Sequence, residues 1–117
     1  MVTRATQLGW RGEEVAQRFL ERRGLVFIER HFRTRYGEID LIMRDGETTA
    51  FIEVKTRRDR SFGAPEESVG EKKLDKLAMA AAEYQRRYPE VGQYRIDLVI
   101  IEMSGSGYST RHIRDLC

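Results

Sequence analysis

Cysteine is almost absent from this chain: among 117 residues it occurs once, as Cys117, which excludes an internal disulfide and any zinc site built on several thiolates. That economy fits a reducing compartment. No apolar run approaches the roughly 20 residues that a membrane span requires. The opening stretch Met1-Val2-Thr3-Arg4-Ala5-Thr6-Gln7 also lacks the apolar segment of a secretion signal. The expectation is a cytoplasmic protein without a membrane partner. Net charge is small too, at +2, so the chain does not announce a polyelectrolyte binder by its sum of charges. No repeat or low-complexity tract divides the sequence, and residues 1–117 read as a single domain.

Hydrophobic residues make up 40% and charged residues 34%, enough for a core beneath a densely charged surface. The charge is unevenly spread. Arg30, Arg33 and Arg35 crowd one segment and Arg57, Arg58 and Arg60 another, while much of the acid lies in Glu13, Glu14, Glu38, Asp40, Glu66, Glu67 and Glu71.

From Trp10 to Arg23, Val15, Ala16, Phe19 and Leu20 recur at helical spacing, and Gly24 follows where a left-handed stop belongs. Leu25 to Phe32 is rich in aromatic and β-branched residues and predicts a strand, with imperfect alternation. Gly37 to Arg44 alternates strictly, which puts Ile39, Leu41 and Met43 on one face and Glu38, Asp40 and Ile42 on the other. After Asp45-Gly46, a dipeptide suited to reversal, Thr49 to Arg57 carries Phe51, Glu53 and Lys55 on one face, so the two strands form a hairpin. Arg58 to Glu67 reads as a loop with Phe62 as its large apolar residue. Leu74, Leu77, Ala78 and Ala81 then mark a helix from about Ser68 to Tyr88, ended by Pro89 and Gly92. Tyr94 to Glu102 is an apolar strand interrupted by Asp97, as expected of a strand covered on both faces. Tyr108 to Arg114 adds a final edge strand. The class is α/β, in the order α-β-β-β-α-β(-β).

A Glu-x-Lys triplet is weak evidence in so charged a chain, and Glu71-Lys72-Lys73 provides an internal control. In the strand copy, Glu53-Val54-Lys55, both charged side chains point to one face; in the helical copy they diverge around the axis. A two-residue hairpin loop at Asp45-Gly46 sets Asp40 opposite Phe51 with Glu53 on the diagonal, and a four-residue loop sets Asp40 opposite Glu53. Both leave the acids on one face about 5 to 8 Å apart, whereas a three-residue loop separates them. Carboxylates that close repel one another unless something positive lies between. A divalent ion with oxygen ligands, Mg²⁺ or Mn²⁺, answers that need and can lower the pKa of a bound water, with Lys55 beside it to stabilise charge. The plain alternative is a solvated sheet face with cross-strand salt bridges, against which Ile42 and Phe51 on the same face argue for cover.

Glu13 falls on the helix face of Ala16 and Leu20, which packs inward; favourable placement near the helix dipole would also account for it. Glu14, four residues before Arg18, reads as surface. His31 and His112 lack a ligand-spaced partner and read as strand-edge polar residues. Asp97 reads either as an orienting group for an Arg or Lys near the site or as a core acid satisfied by hydrogen bonds. Arg33, Arg35, Arg57, Arg58, Arg60 and Lys72 flank the hairpin acids in sequence and are the candidates for contact with nucleic-acid phosphates, while Lys73 and Lys76 read as solvent face.

Gly12-Glu13-Glu14, Ala16, Phe19-Leu20, Gly37-Glu38-Ile39-Asp40-Leu41-Ile42, Phe51-Ile52-Glu53-Val54-Lys55-Thr56-Arg57, Phe62-Gly63, Lys72 and Arg95-Ile96-Asp97 together resemble the bacterial YraN-like family, which is similar to Holliday-junction resolvases and other PD-(D/E)xK nucleases. The resemblance implies a restriction-endonuclease-like fold, a mixed sheet flanked by helices. It also implies a nuclease triad of Asp40, Glu53 and Lys55, with Asp40 and Glu53 holding Mg²⁺ and Glu13 binding it directly or through water. The proline that names the class is missing, since Ile39 precedes Asp40, but no ligand is lost with it. DNA is the implied partner. Symmetric cutting of a junction would need a homodimer, for which the sequence leaves no spare apolar patch. A non-cleaving nucleic-acid-binding or protein-interaction module on the same fold is the alternative.

Overall fold

The computed structural model describes residues 4–58 and 70–116, with side chains from residue 12 onward. Its elements are α1 (Arg4–Arg22), β1 (Val26–Thr34), β2 (Gly37–Asp45), β3 (Thr48–Arg57), α2 (Glu71–Arg87), β4 (Tyr94–Ser104) and β5 (Gly107–Ile113), with a short 3-10 turn at Pro89–Val91. The strands form one sheet in sequential order. All neighbours are antiparallel except β3 and β4, which run parallel because the chain crosses back through α2 between them. The fold is thus the mixed α/β arrangement that the patterning predicts.

One helix covers each face of the sheet. Ala16 and Leu20 of α1 pack with Leu41, Met43, Ala50, Ile52, Val99 and Ile101. On the other side Leu77, Ala80, Ala81 and Tyr84 of α2 pack with Phe32, Ile39, Ile42, Phe51 and Ile96. Each large side chain buried this way stabilises the fold by about 1.5–3 kcal/mol. Alternating residues of β4 serve both layers, which is why Tyr94 to Glu102 is apolar almost throughout.

Helix α1 begins at Arg4, six positions before the expected start, because the residues ahead of Trp10 include Gly9 and carry little apolar periodicity. It ends as read, at Gly24 with φ of 96°. The Gly24 amide donates to Glu21 O at 3.0 Å and the Leu25 amide to Leu20 O at 3.1 Å, a Schellman ending that also buries Leu25 against Leu20. Helix α2 starts at Glu71 rather than near Ser68; Ser68, Phe62 and Gly63 lie outside the described residues, as does Arg60.

The hairpin register is that of the four-residue alternative. Arg44 pairs with Thr49, Met43 with Ala50, Ile42 with Phe51 and Leu41 with Ile52. The innermost pair is Asp45 with Thr48, so the loop tip is Gly46-Glu47 and not Asp45-Gly46. Gly46 has φ of 63° and Glu47 does not share that sign, the requirement of a two-residue loop with Gly first.

Two other expectations change. Strand β1 is an edge, and its register shifts between Phe27 and Glu29. Val26, Phe27 and Ile28 are therefore exposed by 53%, 38% and 38%, where the sequence reading assigned every apolar residue to the core. Ile39 packs on the α2 side with Ile42, although strict alternation groups it with Leu41 and Met43, which face α1. A single residue, Asp40, separates Ile39 from Leu41, so β2 changes face there.

Asp97 takes the second of its two readings. Fully buried, it accepts from Arg95 Nε at 3.0 Å and from the Asp115 amide at 2.9 Å, and lies 2.8 Å from His112 Nε2. Burial alone would raise its pKa, but these bonds and the Arg95 charge hold it below the ordinary value. The network ties the C-terminal segment to β4, and Arg95 continues it to Asp45 at 2.9 Å.

Helix α1 meets β3 at Gly12. A Cβ built there would lie 2.1 Å from Thr56 Oγ1 and 3.4 Å from Thr56 Cβ, so only glycine permits this approach, one residue before Glu13 and one after Lys55 in the facing strand. Gly12→Ala is expected to destabilise the fold by about 1–3 kcal/mol, and Thr56→Ala to recover part of that loss. Urea denaturation of both single variants and the double variant checks this; equal stability of Gly12→Ala and the parent chain would refute the close approach.

Candidate functional site

Pairing between β2 and β3 stops at Leu41 and Ile52, while β2 stays paired to β1 as far as Gly37 and β3 to β4 as far as Arg57. The two central strands therefore fork, with Asp40 and Glu53 as the first residues beyond the last pair. Asp40 Oδ2 accepts the Val54 amide hydrogen at 2.8 Å. A strand amide points within the sheet, so the Asp40 carboxylate lies in the plane of the fork between the strands, and not on the face where alternation puts it.

Glu53 is 4% exposed. Its Oε1 lies 3.5 Å from Lys55 Nζ and 3.4 Å from Lys73 Nζ, and its buried Oε2 has no hydrogen-bond partner. The Asp40 pKa is pushed up to about 7, first by burial and then by the Glu53 charge, with Glu13 adding to it; the Val54 amide and Lys73 pull the other way. These three acids thus sense one another.

Glu13 enters from α1 with its side chain 12% exposed and its Oε2 2.7 Å from His31 Nε2. That approach is off the hydrogen-bond line, so the buried oxygen remains without a partner. Burial raises the Glu13 pKa, Glu38 and Glu53 add to the rise, and His31 and Arg30 oppose it. His31 is more than a strand-edge polar residue: its Nδ1 also contacts Glu38 Oε1, and its backbone is left-handed, with φ of 55°. This conformation costs roughly 1–3 kcal/mol in a non-glycine residue. It falls opposite Asp40, at the one level where the β1–β2 ladder skips a pair. His112, in edge strand β5, is likewise not free, being held by Asp97.

Among the described residues no three His, Cys, Asp or Glu side chains converge as a ready metal cluster. Glu13 is turned to His31, which leaves Asp40 and Glu53 as the candidate pair. Two carboxylates with water completing the shell suit Mg²⁺, which gives up its own water reluctantly, and the orphan Glu53 Oε2 is an available donor. The residues fit such an ion.

The flanking cations are less uniform. Arg33 is 83% exposed and reaches Glu38 Oε2 at 3.2 Å, and Arg35 donates to the Tyr36 hydroxyl at 2.7 Å. Arg57 pairs in register with Glu102. Arg58 and Lys72 are exposed. Lys73, read from sequence as solvent face, is the α2 lysine that enters the site. It precedes buried Leu77, Ala80 and Tyr84 by four, seven and eleven positions, a helical spacing that gives the inward face, whereas Lys72 shares its face with exposed Lys76 and Met79.

Residues 12–101 match the family model described as "Uncharacterised protein family UPF0102". The chain belongs to this family. Over 111 residues it is 40% identical to a UPF0102 protein of Syntrophomonas wolfei, covering 92% of this chain and 94% of that one. A UPF0102 protein of Clavibacter michiganensis is 39% identical over 118 residues, covering 99% of this chain and the whole of the relative. Another, from Beutenbergia cavernae, is 41% identical over 109 residues and 92% of each chain. The match takes in Glu13, the fork and the start of α2. No described helix of the chain is long and apolar enough to cross a membrane.

The folded protein holds the Asp40 proton more tightly than an unfolded chain does, so this group's contribution to stability is present below its unfolded value of 3.8 and is lost as pH rises to about 7. Asp40→Asn keeps an acceptor for the Val54 amide and removes the titration. Without added divalent cations it is expected to match the wild type at pH 4 and to exceed it at pH 8 by on the order of 2 kcal/mol. Denaturation midpoints across that range decide; a constant difference at all pH values would contradict the assignment.

Proposed function

We propose that this chain is a metal-dependent endonuclease that hydrolyses DNA phosphodiester bonds, with branched DNA as a candidate substrate. The observation that carries the reading is a buried carboxylate with an unpartnered oxygen, Glu53, beside Asp40 in an open strand fork and within reach of Lys55. A carboxylate pair flanked by ammonium groups suits an anionic substrate approached through a divalent ion. It is poorly suited to a neutral one.

Asp40 and Glu53 would hold Mg²⁺ or Mn²⁺, and Glu13, whose buried Oε2 lacks a hydrogen-bond partner beside His31, would act directly or through water. The ion would supply a lowered water pKa and neutralisation of charge on the phosphoryl group. Lys55, partly exposed beside Glu53, can donate to the water approaching phosphorus or to the phosphoryl oxygens as negative charge builds on them. One P–O bond forms from the water oxygen and one ester P–O bond breaks, leaving a phosphate monoester and an alcohol; the water's proton passes to the leaving oxygen or to solvent. Exposed Arg33, Arg58 and Lys72 would grip neighbouring phosphates without regard to sequence. Resemblance to PD-(D/E)xK nucleases supports the same roles for the same residues.

The test is cleavage of labelled single-stranded, duplex, flap and four-way-junction DNA, and the matching RNAs, with Mg²⁺ or Mn²⁺. Asp40→Ala is expected to abolish cleavage, and Lys55→Ala to lower kcat by about 10²- to 10³-fold. A wild-type protein that cuts none of these, or variants that cut as well as it does, would refute the enzyme. Salt-sensitive binding without cleavage would instead support the non-cleaving nucleic-acid module.

A further inference from the structure

We infer that Lys73, carried in from the first turn of α2, is a second lysine of the site and binds a non-bridging phosphate oxygen of the nucleic-acid backbone beside the scissile bond. The inference rests on the nuclease reading and adds to it a residue that the Glu-x-Lys motif does not contain.

Two ammonium groups converge on one oxygen, since Lys55 and Lys73 lie 3.5 and 3.4 Å from Glu53 Oε1. Neither is a saturated ion pair. Both separations exceed ordinary charge-assisted hydrogen bonds, and an ammonium has three donors to place. The carboxylate has its other oxygen buried and unpartnered, so the cations are not there because Glu53 needs both to complete its bonding. Lys73 is also 42% exposed at its side chain, open to an approaching polyanion while anchored over the fork. Lys72 and Lys76 of the same helix are exposed, so α2 offers the site one lysine and solvent the others.

Two lysines on separate elements divide the work. Lys55 extends from β3, the strand that carries Glu53, and stands next to the chemistry. Lys73 belongs to the helix that covers the sheet face of Phe51, the face Glu53 and Lys55 share by alternation, and would reach a phosphate group from the helix side. A contact of that kind acts on binding in both ground and transition states and therefore on KM more than on kcat. Lysine makes it as a point charge, without the fork geometry of arginine, so Lys73→Arg is expected to keep most of it.

The experiment compares wild type, Lys73→Met, Lys73→Arg and Lys76→Met, an exposed lysine on the same helix. Binding of fluorescent junction and duplex DNA is followed by anisotropy in Ca²⁺ at several salt concentrations, and cleavage kinetics are followed in Mg²⁺. Lys73→Met is expected to weaken binding about tenfold, to lower the salt slope by about one and to raise KM with kcat within about threefold; Lys73→Arg restores binding, and Lys76→Met changes it less than about twofold. Cleavage by wild type with Lys73→Met indistinguishable from Lys76→Met would overturn this inference and leave the nuclease intact. A wild type that neither binds nor cuts would overturn both. A Lys73→Met protein whose melting temperature falls while KM and salt slope stay unchanged would make Lys73 a structural partner of Glu53 and refute the phosphate contact.

Discussion

A single hydrogen bond, from the Val54 amide to the Asp40 carboxylate, stands where the β2–β3 ladder would otherwise continue. Strands that part leave backbone groups to be satisfied, and an unpaired buried amide costs as much as a lost hydrogen bond. Here the carboxylate is the substitute partner, which lets the ladder end without that penalty and fixes the acid between the strands. Glu53, the next residue of β3 beyond the pair, then has no ladder neighbour on its β2 side. The candidate site follows from the fork more than from any loop, and its two central groups sit on elements held by the whole sheet.

The arrangement costs stability. Glu13, Glu38, Asp40 and Glu53 gather around one opening, and burial and mutual repulsion raise the Asp40 and Glu13 pKa values. His31 adds backbone strain at the same level. Strain and like charge on one spot need a rigid surround, and the surround is present: the strand pairs flanking the fork carry fully buried Leu41, Ile42, Phe51 and Ile52, and buried Asp97, the β4 neighbour of Ile52, ties down the C-terminal segment. Violations of local rules that cluster in one place, inside a fold that otherwise obeys them, are the pattern of a functional site.

Much of this was legible in the sequence, because period and parity are robust signals. The strand alternation from Leu41 to Met43 and along Thr48–Arg57, the glycine stop at Gly24 and the inward phase of Glu13 each rest on local geometry that tertiary packing did not override. The register was legible only as a pair of alternatives, a two-residue loop at Asp45-Gly46 or a four-residue loop, since both keep Asp40 and Glu53 on one face; the extra pair Asp45 with Thr48 closes the second register into a two-residue tip. Ile39 was misplaced because alternation assumes an unbroken ladder, and no residue type marks a fork. His31 was passed over for a similar reason: its left-handed backbone is a property of the assembled β1–β2 pair. Lys73 is a different kind of miss. Counting back from Leu77 and Ala80 gives its inward phase, but the face marked by Leu74, Leu77, Ala78 and Ala81 does not by itself single out Lys73, and Lys72 is preferred as a cation flanking the acids and as part of the family resemblance.

The charge balance bears on the order of events under the nuclease reading. Glu13, Asp40 and Glu53 face Lys55 and Lys73, while Arg33 balances Glu38, so with its three carboxylates ionised the enclosed part of the site carries an excess of negative charge. A phosphodiester brings one more negative charge into a partly buried setting where screening is weak. Asp40 and Glu53 would hold a divalent ion that offsets that repulsion, and Asp40 would have to give up the proton it otherwise holds near neutral pH. Cation before substrate is then the favoured sequence. The two lysines would keep their place in it, because neither is a saturated partner of Glu53 and their ammonium groups would stay free to meet the incoming phosphate.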